Sequence, residues 1–135
     1  MFFGDLTTEV LTAAARGYDA RHTALASNIA NAETPGYKRI EVQFESALAK
    51  AVEDDRSRMG RGPATSLPSP FAQGDAVESS RPAVSSSGTT MRVDGSNVDP
   101  DAEMAELAAN QLAHQTVVAM LDKRFTQFRM AVTGR

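Results

Sequence analysis

The sequence predicts a mainly α fold, in which long N- and C-terminal helices pair as an antiparallel coiled-coil-like hairpin around a short β-like segment and a flexible Ser/Pro/Gly-rich insert. Three observations carry this. Both flanks are Ala-rich, nearly free of Gly and periodic at helical spacing. Between Ser57 and Asn97, 21 of 41 residues are Ser, Thr, Gly or Pro, a composition that cannot offset the entropy of ordering the segment. At 135 residues the chain has room for one domain, spanning 1–135. With 6% aromatic content and no Trp, its core must come mostly from Leu, Val, Met and Ala.

The first helix is expected over about 5–31. Leu11, Ala15, Tyr18, His22, Leu25 and Ile29 follow at alternating steps of four and three, one seam of a helix. Thr34-Pro35-Gly36-Tyr37 should then turn the chain, because Pro35 disfavours a helical Thr34 and Gly36 suits the positive φ of a type II turn. Over 32–56 that turn is followed by a strand-like alternation, with Ile40, Val42 and Phe44 set against Arg39, Glu41, Gln43 and Glu45. Phe44, Leu48 and Val52 continue as one brief amphipathic helix. Residues 57–97 form the insert, near whose end Asp94-Gly95, flanked by Met91, Val93 and Val98, is a hairpin-turn signal.

The last helix is expected over 99–133. Asp99 can cap it, Pro100 suits its first position, and Asp101 and Glu103 complement the positive end of its dipole. Met104, Leu107, Gln111, His114, Val118, Leu121, Phe125, Phe128 and Val132 alternate steps of three and four over four heptads, a coiled-coil type of stripe. The expected pairing seam is therefore Leu11, Tyr18, Leu25 and Ile29 against Met104, Leu107, Val118, Leu121, Phe125 and Phe128. Small residues run along other faces: Leu6, Val10, Ala13, Gly17, Ala20 and Ala24, and Ala105, Ala108, Leu112 and Ala119. Ordering two long helices costs roughly 1–2 kcal/mol of backbone entropy per residue, more than one seam returns. The pair is thus expected to be completed by neighbouring subunits approaching these small-residue faces.

Several chemistries are excluded. With no Cys there are no disulfides, thiolate nucleophiles or Cys-ligated metals. His22 and His114 are the only histidines, and neither has an acid at metal-motif spacing, so both are expected to be packed and hydrogen-bonded. Gly60-Arg61-Gly62 lacks the third Gly of a dinucleotide fingerprint, and no Gly-x-Ser-x-Gly elbow is present. A net charge of -3 and no aromatic residues near Arg56, Arg58 and Arg61 argue against nucleic acid. The start of the sequence carries Asp5 and Glu9 where a cleaved signal peptide needs an apolar run, and no stretch is long and apolar enough for membrane insertion. An enzyme and a cofactor are not expected.

The segment Ala24-Leu25-Ala26-Ser27-Asn28-Ile29-Ala30-Asn31-Ala32-Glu33-Thr34-Pro35-Gly36-Tyr37-Lys38 resembles the N-terminal signature of bacterial flagellar rod and hook proteins. Asp94-Gly95-Ser96-Asn97-Val98-Asp99, with Glu103-Met104-Ala105, Leu107-Ala108 and Asn110-Gln111, is similar to its proximal-rod members. Where His114 stands, that family more often resembles an aromatic pattern, usually Tyr. The matching ends cover roughly residues 6–50 and 91–132. The resemblance implies a structural subunit of the flagellar basal body, with Asn28, Ala30, Asn31, Thr34, Pro35, Gly36 and Tyr37 as the family motif and turn. It implies assembly through the terminal helices, torque transmission, and partners among other rod proteins, further copies, the membrane-ring adaptor and the flagellar type III export apparatus. Location in the periplasmic rod without a cleaved signal peptide follows from the same resemblance. From the residues alone, a free-standing helical-hairpin adaptor that binds one protein partner is the alternative.

Overall fold

A computed structural model describes residues 6–59, 76–77, 82–86 and 96–134. Helix α1 (Leu6–Ala30) leads to strand β1 (Ile40–Gln43), helix α2 (Glu45–Met59), strand β2 (Ala83–Ser86) and helix α3 (Pro100–Thr133). The two long helices pack against each other, and β1 and α2 both pack on α1. Side-chain bonds from Asn28 to Glu103 and from Asn110 to the Tyr18 carbonyl make the helix pair antiparallel. The mainly α hairpin with a short β element is thus the observed architecture. Among the described residues no helix is long and apolar enough to cross a membrane.

Local chemistry sets the helix ends. Asp99 has extended φ/ψ, and its carboxylate accepts from the backbone N–H groups of Asp101 and Ala102, satisfying donors that the first turn leaves free. At the far end Gly134 adopts φ 67° and its N–H reaches the Met130 carbonyl at 2.9 Å, a left-handed cap that a residue with Cβ would resist. Helix α1 closes with the Asn31 side chain donating to the Ser27 carbonyl at 2.8 Å. The Tyr37 N–H then bonds the Thr34 carbonyl at 3.2 Å while Gly36 takes φ 74°, the positive φ that the type II reading requires.

The core sits where β1 crosses α1. Ala24, Val42 and Phe44 are buried there, with Tyr18, Ala20, Ile40 and Leu48 packed around them. Phe44 lies against the bare Cα of Gly17: a Cβ built on Gly17 would stand 2.4 Å from the ring. Tyr18 meets the ring edge-on at 5.0 Å between centroids, and the Arg21 guanidinium lies 4.8 Å from the centroid, so the ring is boxed by an aromatic edge and a cation. On α1 the small-residue face therefore serves the chain's own strand. The expectation that it receives a neighbouring subunit is corrected at Gly17, Ala20 and Ala24.

Of the insert 57–97, residues 57–59, 76–77, 82–86 and 96–97 are described. β2 lies within it and pairs antiparallel with β1, from Ile40 opposite Ser86 to Gln43 opposite Ala83. Val77 is fully buried, and the N–H groups of Ala76 and Val77 donate to the buried Asp55 carboxylate of α2. Ser96, Asn97 and Val98 are buried as well. Apolar content alone missed these because main-chain pairing and polar anchoring order a segment without large side chains. The Asp94-Gly95 turn and Gly60-Arg61-Gly62 lie outside the described residues.

Two outcomes follow. Helix propensity favours Gly17→Ala by about 1 kcal/mol, but displacing the Phe44 ring costs about 1–3 kcal/mol. Urea unfolding should show net destabilisation, and Gly17→Ala combined with Phe44→Leu should lose less than the two single losses added. Simple additivity would mean the ring does not rest on Gly17.

The second outcome concerns acid. Hydrogen bonding from Arg21 holds the Glu45 carboxyl below its ordinary range. A depressed folded value contributes stability above the unfolded value of about 4.3 and loses it as pH falls through the folded one. Because the Glu45 side chain is 53% exposed, the pair is worth about 0.2–1 kcal/mol. Glu45→Gln should flatten the acid side of the stability profile by that amount, and an identical profile would remove the pair from the account.

Candidate assembly interface

A polar lock holds the closed end of the hairpin. Asn28 projects from the last turns of α1 and is wholly buried. Its Nδ2 donates to the Ile40 carbonyl and to Glu103 Oε2, both at 2.8 Å. Its Oδ1 accepts from the Ile40 N–H at 2.9 Å and the Tyr37 hydroxyl at 3.2 Å. A carboxamide offers two donors and two lone pairs, and here all four are used. Asn28 thereby stands in for a neighbouring strand along the outer edge of β1, and Arg21 continues the seal by donating to the Val42 carbonyl at 3.0 Å.

Glu103 lies on the first turns of α3, 1% exposed. Its second oxygen takes the Arg39 Nε hydrogen bond, while Arg39 Nη2 reaches Glu106 at 2.7 Å. The Arg39 N–H donates to Asn97 Oδ1 at 2.7 Å. Burial works against the Arg39 charge, but the Glu103 hydrogen bond and the fields of Glu103, Glu106 and Glu41 outweigh it and hold the guanidinium above its ordinary value. Four segments are tied in this way: α1, the 37–40 link, the 96–98 approach and α3. Glu103 lies in the first turn as expected of an acid at the positive helix end, and in addition it is buried against Arg39 and Asn28.

The α1 members of the expected seam lie inward: Leu25 is 3% exposed, and Leu11, Tyr18 and Ile29 are half-buried. On α3, Leu107, Leu121 and Phe128 are half-buried, but Met104, Val118 and Phe125 are exposed, as are Gln111 and Val132. The correction has a geometric cause. A strict 3–4 stripe drifts about 20° per heptad around an α-helix, and the face turned to α1 is centred on the polar Glu103 and Asn110. Met104 sits about 100° of rotation from Glu103, whereas Leu121 and Phe128 have come round to the paired side.

The histidines are likewise corrected in part. His114 Nε2 lies 3.2 Å from Asp19 Oδ1, but His22 is exposed. No group of three metal-ligating side chains converges among the described residues. In the motif, Asn28, Asn31 and Tyr37 form the lock and the helix end, while Ala30, Thr34, Pro35 and Gly36 face outward. Arg39 was missed as a site residue; Asn97, Glu103 and Asn110 were visible only inside the C-terminal motif. A solitary acid on the inward side of a capped helix was the signal available.

What remains outside is an apolar surface. From Leu107 to Leu121 the helix α3 carries no Asp, Glu, Lys or Arg in fifteen successive positions. Ala105, Ala108, Leu112 and Ala119 are exposed, together with Met104, Val118, Met120, Phe125, Met130 and Val132.

A family model described as flagella basal body rod protein matches residues 19–38, the stretch that holds Asn28 and the turn. The chain is 34% identical to the flagellar basal body rod protein FlgB of Cereibacter sphaeroides, over 86% of this chain and 85% of the relative. It is 36% identical to FlgB of Salmonella typhimurium, over 84% and 83%, and 31% identical to FlgB of Bacillus subtilis, over 86% and 84%.

Glu103→Gln removes the buried charge that faces the half-buried Arg39, a change in a charge-assisted hydrogen bond that costs about 1.5–3 kcal/mol. Chemical denaturation should show a loss of that order. Asn28→Asp should lose more, since it deletes both amide donors and sets a second carboxylate against Glu103. Losses below about 0.5 kcal/mol, the range of ordinary surface changes, would show that the lock does not hold the hairpin.

Proposed function

The chain belongs to the FlgB family of flagellar basal body rod proteins, a structural component of the rod, and from that membership we propose that it is a proximal-rod subunit assembling through its terminal helices. The single domain spans 1–135 and presents α3 to its neighbours. The observation that carries the reading is the uncharged outer side of α3 between Leu107 and Leu121, where, among the described residues, Ala108, Leu112, Val118, Ala119 and Met120 stand exposed. A surface that binds a different patch on the next subunit builds a helical stack when its rotation does not close. Along such a stack, helices fixed by the Asn28–Glu103–Arg39 lock carry torque as rigid struts from the membrane ring towards the distal rod.

Its partners in this reading are other rod proteins and further copies of itself, with the membrane-ring adaptor at the base. Delivery in this reading is by the flagellar type III export apparatus. The work of the molecule is packing, and the residue types at its interface are those of a packing surface rather than of a reaction centre.

The inward and outward faces should separate in a single comparison. Leu112 is 67% exposed, so Leu112→Asp places its charge in water in the free subunit and should change thermal stability little. In cells lacking the native copy it should be exported normally yet fail to enter the rod, abolishing motility. Leu25→Asp buries an unpaired charge and should unfold the subunit itself. An exported Leu112→Asp that still builds a working rod would rule out α3's outer face as the interface.

A further inference from the structure

The outer side of α3 carries a chemistry that packing alone does not use. At about 100° per residue, Leu112 stands diametrically opposite the buried Glu103 and so marks the direction away from α1. Met130 lies about five turns further along the same line, and Met104 and Met120 lie about 80° to either side of it. Their exposures agree with that placing, at 51% for Met104, 51% for Met120 and 47% for Met130. Three of the six methionines of the chain thus hold their thioethers in water on one arc of one helix.

We propose that Met104, Met120 and Met130 form an oxidation site through which peroxides decide whether the free subunit can assemble; the effect on assembly rests on the reading of the outer side of α3 as the interface. In each case the thioether sulfur attacks one oxygen of hydrogen peroxide. The O–O bond breaks as the S–O bond forms, sulfur gives up two electrons, and the proton of the attacked oxygen joins the departing hydroxide to leave water. The product sulfoxide is polar and chiral where the thioether was flexible and apolar. In the free subunit the new oxygen is solvated, so the hairpin keeps its fold. Against the apolar surface of a neighbour the same oxygen is buried without a donor, which weakens packing about tenfold for each one left unpaired. Leu112, Val118 and the exposed alanines of this side offer peroxide no such sulfur. Thiol-dependent sulfoxide reductases restore the face, the oxygen leaving as water while two thiols become a disulfide.

The test begins with the full-length subunit in dilute hydrogen peroxide. Peptide mass spectrometry should find one added oxygen on each of Met104, Met120 and Met130 while the thermal transition of the subunit stays in place. In cells lacking the native copy, peroxide given while rods are being built should lower rod content about tenfold for the native sequence. For Met104→Leu/Met120→Leu/Met130→Leu the fall should be less than about twofold, each strain being compared with its own untreated culture. The three single changes, each recovering part of the loss, serve if the triple change itself hinders assembly. Met104→Gln/Met120→Gln/Met130→Gln sets an amide where the sulfoxide would stand, and should be exported yet fail to enter the rod with no peroxide present. Unmodified methionines at these positions, equal sensitivity of the Leu and native sequences, or a full rod from the Gln variant would each overturn the proposal. Leu112→Asp in the same cells reads the interface separately. If it builds a working rod, the assignment of the face falls and takes this proposal with it, whereas its exclusion beside a peroxide-indifferent native rod overturns the oxidation site alone.

Discussion

Everything that gives the hairpin its geometry passes through one buried carboxamide. Asn28 alone answers both main-chain groups of Ile40, the Tyr37 hydroxyl and the Glu103 carboxylate. Apolar contacts along a helix pair tolerate sliding by a turn, since one Leu resembles another. A set of hydrogen bonds that is complete only in one arrangement does not, because any other leaves buried donors and acceptors unanswered at about 1–3 kcal/mol each. Register, strand position and the entry angle of α3 are consequently a single decision. The salt bridge from Arg39 extends that decision to a segment that arrives from the far side of the insert.

What could be read from residues alone was whatever local chemistry dictates. Asp99-Pro100 announced a helix start, Thr34-Pro35-Gly36 a turn with one positive φ, and the alternation of Ile40, Val42 and Phe44 a strand. The less legible features all depend on distant partners. Glu103 is 75 residues from Asn28, and nothing near either names the other. β2 is four exposed residues without an apolar alternation, formed because β1 offers it a register. Gly17 looked like one small residue in a stripe until the Phe44 ring was placed on it. The α3 seam was legible only in part, at Leu107, Leu121 and Phe128: counting only apolar positions located a stripe, while the paired face is marked by an acid and an amide.

The two long helices divide their surfaces in opposite ways. α1 spends its small residues inward, on Phe44 and β1, and gives its polar groups to bonds with neighbouring segments. α3 buries Glu103 and Asn110 and turns Leu112, Met120 and the alanines outward. Such an inversion is unfavourable for a lone soluble helix and suited to one that other helices will surround.

The hydrogen bond from the Arg39 N–H to Asn97 Oδ1 joins positions 58 residues apart, so the whole excursion from β1 through α2 and β2 leaves and rejoins the hairpin at one clamped base. A chain path closed in this way is nearly indifferent to its own contour, since doubling such a loop adds only about 0.6 kcal/mol of closure entropy. Length can therefore be gained or lost inside the excursion without the terminal helices sensing it. For a protein of the flagellar rod family this separates two inheritances: a helical hairpin with a fixed register, and a side branch free to lengthen, shrink or carry a foreign peptide.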